Sequence, residues 1–297
     1  MLRPARPLSG ALAMPGTLYV VATPIGNLED ITLRALRILR EVDLICAEDT
    51  RLTRKLLSRY DIHTPLTSWH RHTRDEKTRS LAEMLGAGGN LALVSDAGLP
   101  GISDPGAELI SEALRVGATV TLAPGPSASL AALVVSGLPM ARFCFEGFPP
   151  RPRSARQVFF ARLASEDRTI VLYESPRRCA ETLRDLYAAL GDRRVAVARE
   201  LTKAFEEVFR GTLAEAAARY EASPPRGEIT IVVAGGRPPA TDAPPNPVAA
   251  DIERALDEAM RAGRSLRDAV DAVAARYALR RRDVYRIATH RPSEQSR

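Results

Sequence analysis

Three of the 297 residues are cysteine, Cys46, Cys144 and Cys179, and no two stand in CxxC spacing. That argues against a disulfide framework or a zinc site, fits a reducing cytoplasm, and leaves all three as buried thiols. No run approaches the roughly 18 apolar residues of a membrane span, so no membrane is expected as a partner. The opening MLRPARPLSGALAMPG has an apolar part too short, and too broken by proline and glycine, for a secretory signal. Residues 1–16 read as a disordered leader, with Met14 a second candidate start. Neither GxGxxG nor GxxxxGK(S/T) occurs, which removes the usual pyrophosphate and triphosphate cradles. Lysine is nearly missing as well: Lys55, Lys77 and Lys203 are three of 42 basic residues.

What is present is globular composition, 45% hydrophobic and 26% charged, in a chain long enough for two domains. The net charge of +6 is compatible with a polyanionic partner without requiring one. TLYVVAT (17–23), DLICAE (43–48), NLALVSD (90–96) and ATVTLAP (118–124) read as strands between helical patterns such as ITLRALRILREV. That alternation predicts an α/β layer with mostly parallel strands. The character changes after Gly137-Leu-Pro139. Strands are expected over 142–148, 168–174, 193–200, 206–211 and 227–236, with helices over 153–164, 176–190 and 212–221. The strands flanking Phe205 are too close for a crossover helix, so the second sheet should be mixed. The reading is an N-terminal α/β domain over 17–137, a C-terminal α/β domain over 138–236, a proline-rich linker over 237–247, and a helical appendage over 248–290. In the appendage Ser265 is the expected N-cap, and the basic segment offers Arg280, Arg281, Arg282 and Arg286 either for packing or for RNA.

Ligands in parallel sheets bind outside the carboxyl ends of strands, and three such ends stand out. TPIGNLED (23–30), SDAGLPGISDPG (95–106) and GPSAS (125–129) are each rich in glycine or proline at a strand-to-helix junction. Glycine admits a ligand to the main chain, and proline lowers the entropy cost of a held-open loop. The loop with Asp96 and Asp104 carries no basic residue. An acidic wall disfavours phosphate and favours a cationic or neutral adenosine-type ligand, for which S-adenosylmethionine is suited.

The blocks TPIGNLEDIT (23–32), AEDTR (47–51), LVSDAGLPGISDPG (93–106), PGPSA (124–128), FEGF (145–148), YESPRR (173–178), RELTK (199–203) and RGEITIVV (226–233) stand in that order. Together they resemble the ribosomal RNA small-subunit methyltransferase I family, a branch of the tetrapyrrole-methylase-like, class III S-adenosylmethionine enzymes. The resemblance spans about residues 17–236. It implies a homodimer with S-adenosylmethionine between two domains, and 2'-O-methylation of a decoding-centre cytidine in 16S rRNA within the 30S subunit. By motif match it implies Pro24, Gly26, Asp96, Ala97, Gly98, Asp104, Ala128, Tyr173 and Glu228 as cofactor-lining residues.

Asp49 in AEDTR with Glu200 and Lys203 in RELTK are the catalytic candidates, and Glu48, His70 and His72 are further candidate bases. Internal ion pairing is the plain alternative for both blocks. Arg51 and Arg199 are candidate phosphate contacts, as the arginine-rich stretch from Arg151 to Arg156 is. Two histidines one residue apart without a third ligand do not make a metal site, so none is expected. Trp69 is a candidate base-stacking side chain or a core residue. Methylation of a tetrapyrrole such as a precorrin on the same fold, and a non-catalytic ribosome-assembly factor, are the alternative functions.

Overall fold

The computed structural model describes residues 14–69, 74–236, 249–277 and 279–289. The leader up to residue 13, His70, His72 and the linker 237–247 lie outside the described residues. The chain divides into two units, Met1–Gly236 and Arg237–Arg297.

The first unit opens with β1 (Thr17–Val21), α1 (Leu33–Glu41), β2 (Leu44–Ala47), α2 (Thr50–Arg59), β3 (Leu66–Ser68), α3 (Arg74–Gly86), β4 (Leu91–Val94), α4 (Ala107–Arg115), β5 (Thr119–Ala123) and α5 (Ala128–Ser136). The strands form one sheet in the order β3-β2-β4-β1-β5, every pairing parallel. Parallel pairing needs a crossover between neighbours, which the helical segments supply. Leu91–Val94 is buried throughout, as a strand covered on both faces must be. Edge strand β5 exposes Thr119 and Leu122.

The chain continues through β6 (Phe143–Gly147), α6 (Arg153–Arg162), β7 (Thr169–Glu174), α7 (Cys179–Leu190), β8 (Arg194–Arg199), β9 (Glu207–Thr212), α8 (Leu213–Ala222) and β10 (Ile229–Val233). Their sheet runs β6-β7-β10-β8-β9, with β6 parallel to β7 and the other pairings antiparallel. One face packs on α6 to α8 through Phe160, Leu183, Leu186, Val197, Leu213 and Ile231. The opposite face packs on α5: Ala132 and Leu133 meet Val171, Ala196, Ala198 and Val232. The last helix before Gly137 thus seals the second sheet. Gly137, at φ 73°, ends that helix in the left-handed conformation.

The second unit holds α9 (Ala249–Arg261), α10 (Leu266–Arg276) and α11 (Arg281–Thr289) around Ile252, Leu256, Val270, Val273 and Val284. Ser265 accepts from the Asp268 amide at 3.2 Å and caps α10. Among the described residues no helix is long and apolar enough to cross a membrane.

Candidate functional site

Strands β4, β1 and β5 are neighbours, so the three glycine-proline loops leave the sheet side by side. Thr23 and Gly98 lock two of them together: Gly98 N donates to Thr23 O at 3.1 Å, and Thr23 N to Gly98 O at 2.9 Å. Gly98 sits at φ 81°, and a Cβ there would already touch Ile25 at 3.4 Å. The loops border a cavity of about 360 Å³ whose opposite wall comes from the second sheet. Ala97, Gly98, Asp104, Ala128, Tyr173 and Glu228 line it. Pro24, Gly26 and Asp96 are not among its lining residues, though Gly26 and Asp96 hold the wall in place. A Cβ on Gly26 would stand 2.5 Å from Lys203 Cγ and 3.0 Å from Leu201 O, so only glycine admits the 201–203 turn. Asp96 Oδ1 accepts from the Asp49 amide at 2.9 Å, bracing the end of β2 against the end of β4.

Among the described residues no lysine or arginine lines the cavity, and the acids crowd one another. Burial first, then the charges of Glu48, Asp96 and Glu228, push Asp104 up to about 6 from its ordinary 3.8, a hydrogen bond from Ser95 offsetting part of the rise. A site so arranged favours a ligand that brings positive charge.

Glu228 belongs to a second charged group. Lys203 Nζ reaches Glu200 Oε1 at 2.9 Å and Glu228 Oε2 at 3.2 Å, while the Glu228 amide donates to Glu200 Oε1 at 2.9 Å. The turn is strained, with Glu200 at φ 52° and Thr202 at φ 67°. Burial works to lower the Lys203 pKa, but the two glutamates outweigh it and the value is raised. Lys203 therefore stays an ammonium. The Lys203 hydrogen bond and then the Glu228 amide hold Glu200 below the usual carboxylate range. Asp49 is drawn down to about 2 by hydrogen bonds from the Arg51 side chain and amide, and it caps α2. Neither carboxylate is tuned for proton abstraction near neutrality.

The arginines expected at RNA mostly hold ion pairs with nearby carboxylates, all but Arg199 at the exposed surface. Arg51 pairs with Asp49 at 2.7 Å, Arg199 with Glu207 at 2.8 Å, Arg281 with Asp271 at 2.7 Å, and Arg282 and Arg286 with Asp283 at 3.8 and 3.4 Å. Arg280 has no ion pair among the described residues. Arg156, read as part of a basic footprint, is buried between Asp185 at 2.6 Å and Glu181 at 2.7 Å. Trp69 is 1% exposed and donates its indole N–H to Thr78 Oγ1 at 2.9 Å, so it is a core residue. The three cysteines are free and buried.

The sequence reading missed the apolar part of the wall, Ile25, Leu99, Ile102 and Leu201, and Phe148, Ser175 and Pro176 on the second-sheet side. All seven fall inside blocks already picked out, but nothing local says that their side chains face a cavity. Tyr173 is fixed from both sides. Its hydroxyl accepts from Ser129 N at 3.2 Å in the first turn of α5, and its ring packs edge-on against Phe145 with centroids 4.9 Å apart.

Residues 17–217 match the family of Tetrapyrrole (Corrin/Porphyrin) Methylases. A Thermotoga maritima protein named ribosomal RNA small subunit methyltransferase I is 50% identical over 220 residues, 74% of this chain and 99% of that protein. A Bacillus subtilis protein of the same name is 46% identical over 235 residues, 79% of this chain and 80% of that protein. Among solved structures, uroporphyrin-III-C-methyltransferase from Thermus thermophilus superposes with TM-score 0.54 at 20% identity, over 74% of this chain and 94% of that one, which shows the shared fold.

Proposed function

Since the chain belongs to the tetrapyrrole methylases and, within them, to the ribosomal RNA small subunit methyltransferase I family, we propose that it transfers a methyl group from S-adenosylmethionine to small-subunit ribosomal RNA. The acceptor is the ribose 2'-hydroxyl of a decoding-centre cytidine in the 30S particle. The observation that carries this reading is the cavity itself: acidic, with no lysine or arginine among the described residues that line it, and bordered by glycine-proline loops that end parallel strands.

The residues present fit the cofactor. Asp104 and Glu228 offer negative charge to its ammonium and sulfonium groups, while Ala97, Gly98 and Ala128 leave room for close approach to the main chain. Ile25, Leu99 and Ile102 suit an adenine ring and keep water out. Bound there, S-adenosylmethionine supplies a methyl group already activated on sulfur. The chain's share is to hold the acceptor hydroxyl in line, an effect worth up to roughly 7 to 11 kcal/mol in well-oriented systems. The Lys203 bridge fixes the Glu228 carboxylate at the rim, and the Gly26 loop presses the 201–203 turn into position. A homodimer is part of the proposal. The unpaired β5 edge with exposed Leu122, and Leu130 and Val134 on α5, support it, and light scattering of the purified protein at twice the monomer mass is the expected result.

Incubation with radiolabelled donor and 30S particles lacking the modification is expected to place label on one cytidine ribose. Label absent from RNA, with donor binding intact, would refute the acceptor and favour a small-molecule methylase.

A further inference from the structure

Against the cavity lies a groove of about 680 Å³ that shares Phe148, Glu174 and Ser175 with it and adds Arg151, Arg177 and Arg178. The charge changes sign across Phe148. Glu174, the one carboxylate among the described residues that line the groove, is consumed inside the fold: it accepts from Thr182 Oγ1 at 2.6 Å and Ser175 N at 2.7 Å, and pairs with Arg178 at 3.1 Å. Arg151 and Arg177 are exposed and have no ion pair among the described residues, unlike the paired Arg51, Arg199 and Arg281. Arg178 donates to the carbonyls of Pro149 and Pro150 at 2.9 and 3.1 Å, which stiffens the groove wall, and its Nε is buried without a hydrogen-bond partner. Phe148 is 56% exposed and leans on Tyr173 with centroids 5.5 Å apart, a large ring held by its neighbour with much of its surface free.

Unpaired guanidinium groups beside a rigid, exposed aromatic ring are the means by which proteins hold single-stranded RNA: cations take the phosphates and the ring stacks on a base. We propose that this groove seats the single-stranded RNA flanking the methylated nucleotide, with Arg151 and Arg177 on its phosphates and Phe148 stacked on a base at the mouth of the cavity. The inference rests on reading that cavity as the methyl-donor site. The division of charge then sorts the two ligands, since an acidic cavity repels a polyanion and an arginine groove repels a sulfonium.

The test is a steady-state comparison of wild type with Arg151→Ala/Arg177→Ala, on undermethylated 30S particles over a range of salt, with donor affinity measured calorimetrically in the same series. Loss of two phosphate contacts is expected to raise the 30S KM at least about tenfold and to flatten the slope of log affinity against log salt by about 0.7 per contact. Donor affinity should be unchanged, and Arg151→Lys/Arg177→Lys should recover most of the binding. Phe148→Leu is expected to raise KM where Phe148→Tyr does not. An alanine double variant with wild-type KM and salt slope would overturn the proposal. Wild-type enzyme that binds donor but leaves 30S unlabelled would overturn the function on which it rests, and the two failures are told apart by the wild-type arm alone.

Discussion

A carboxyl raised to about 6, as Asp104 is, titrates within about a unit of neutral pH. The folded chain holds that proton more tightly than the unfolded chain does. Stability from this group is therefore greatest at low pH, falls as pH rises from the ordinary 3.8 to about 6, and is level above. Asp104→Asn is accordingly expected to raise the melting temperature of the ligand-free protein at neutral pH while abolishing the thermal shift given by S-adenosylmethionine. In the wild type, donor binding should weaken as pH drops below about 6. An asparagine variant with unchanged donor affinity would remove Asp104 from the site. Gly26 makes the opposite bargain, giving up side-chain contact so that another turn can approach. Gly26→Ala sets a Cβ against the Leu201 carbonyl at 3.0 Å, and denaturant unfolding is expected to show a loss of about 1 to 3 kcal/mol, as overpacking does.

Among the elements, α2 and α5 carry the clearest tests. Asp49 caps α2 through the Arg51 amide at 2.8 Å, a role that asparagine can fill and alanine cannot. Asp49→Asn should keep both melting temperature and turnover, whereas Asp49→Ala should lower the melting temperature; turnover lost in the asparagine variant would restore Asp49 as a catalytic base. Helix α5 lies between the sheets in sequence and buries Leu133 against the second one. Leu133→Ala is expected to cost about 2 to 5 kcal/mol by the cavity it leaves, in one cooperative transition across residues 17–236. Two separated transitions would mean that the sheets fold independently. Strand β3 shows why short elements escape a sequence reading. Leu66–Ser68 has no periodicity to detect and is extended because β2 offers it a pairing edge.

At the scale of the whole molecule, 74% of this chain accounts for 99% of the Thermotoga maritima relative, which leaves part of this chain without a counterpart there. A chain ending at Gly236 is therefore expected to bind donor with wild-type affinity and to lose affinity for 30S particles, measured by calorimetry and sedimentation. Unchanged 30S affinity would make the α9–α11 unit dispensable for RNA. The sequence by itself determined the strand-and-helix alternation, the loops that end β1, β4 and β5, the acidity of one of them, and the family, because each is written in residues adjacent along the chain or in ordered blocks. Tertiary structure alone decided which of those residues meet. Asn27 reaches Thr202 across 175 positions, Asp96 braces the end of β2 without lining the cavity, and Arg199 turns to Glu207 on the neighbouring strand while Arg151 and Arg177 have no ion pair among the described residues. Periodicity and turn chemistry act over a few residues, whereas a charge finds its partner by distance in space, and that distance exists only once both sheets are built.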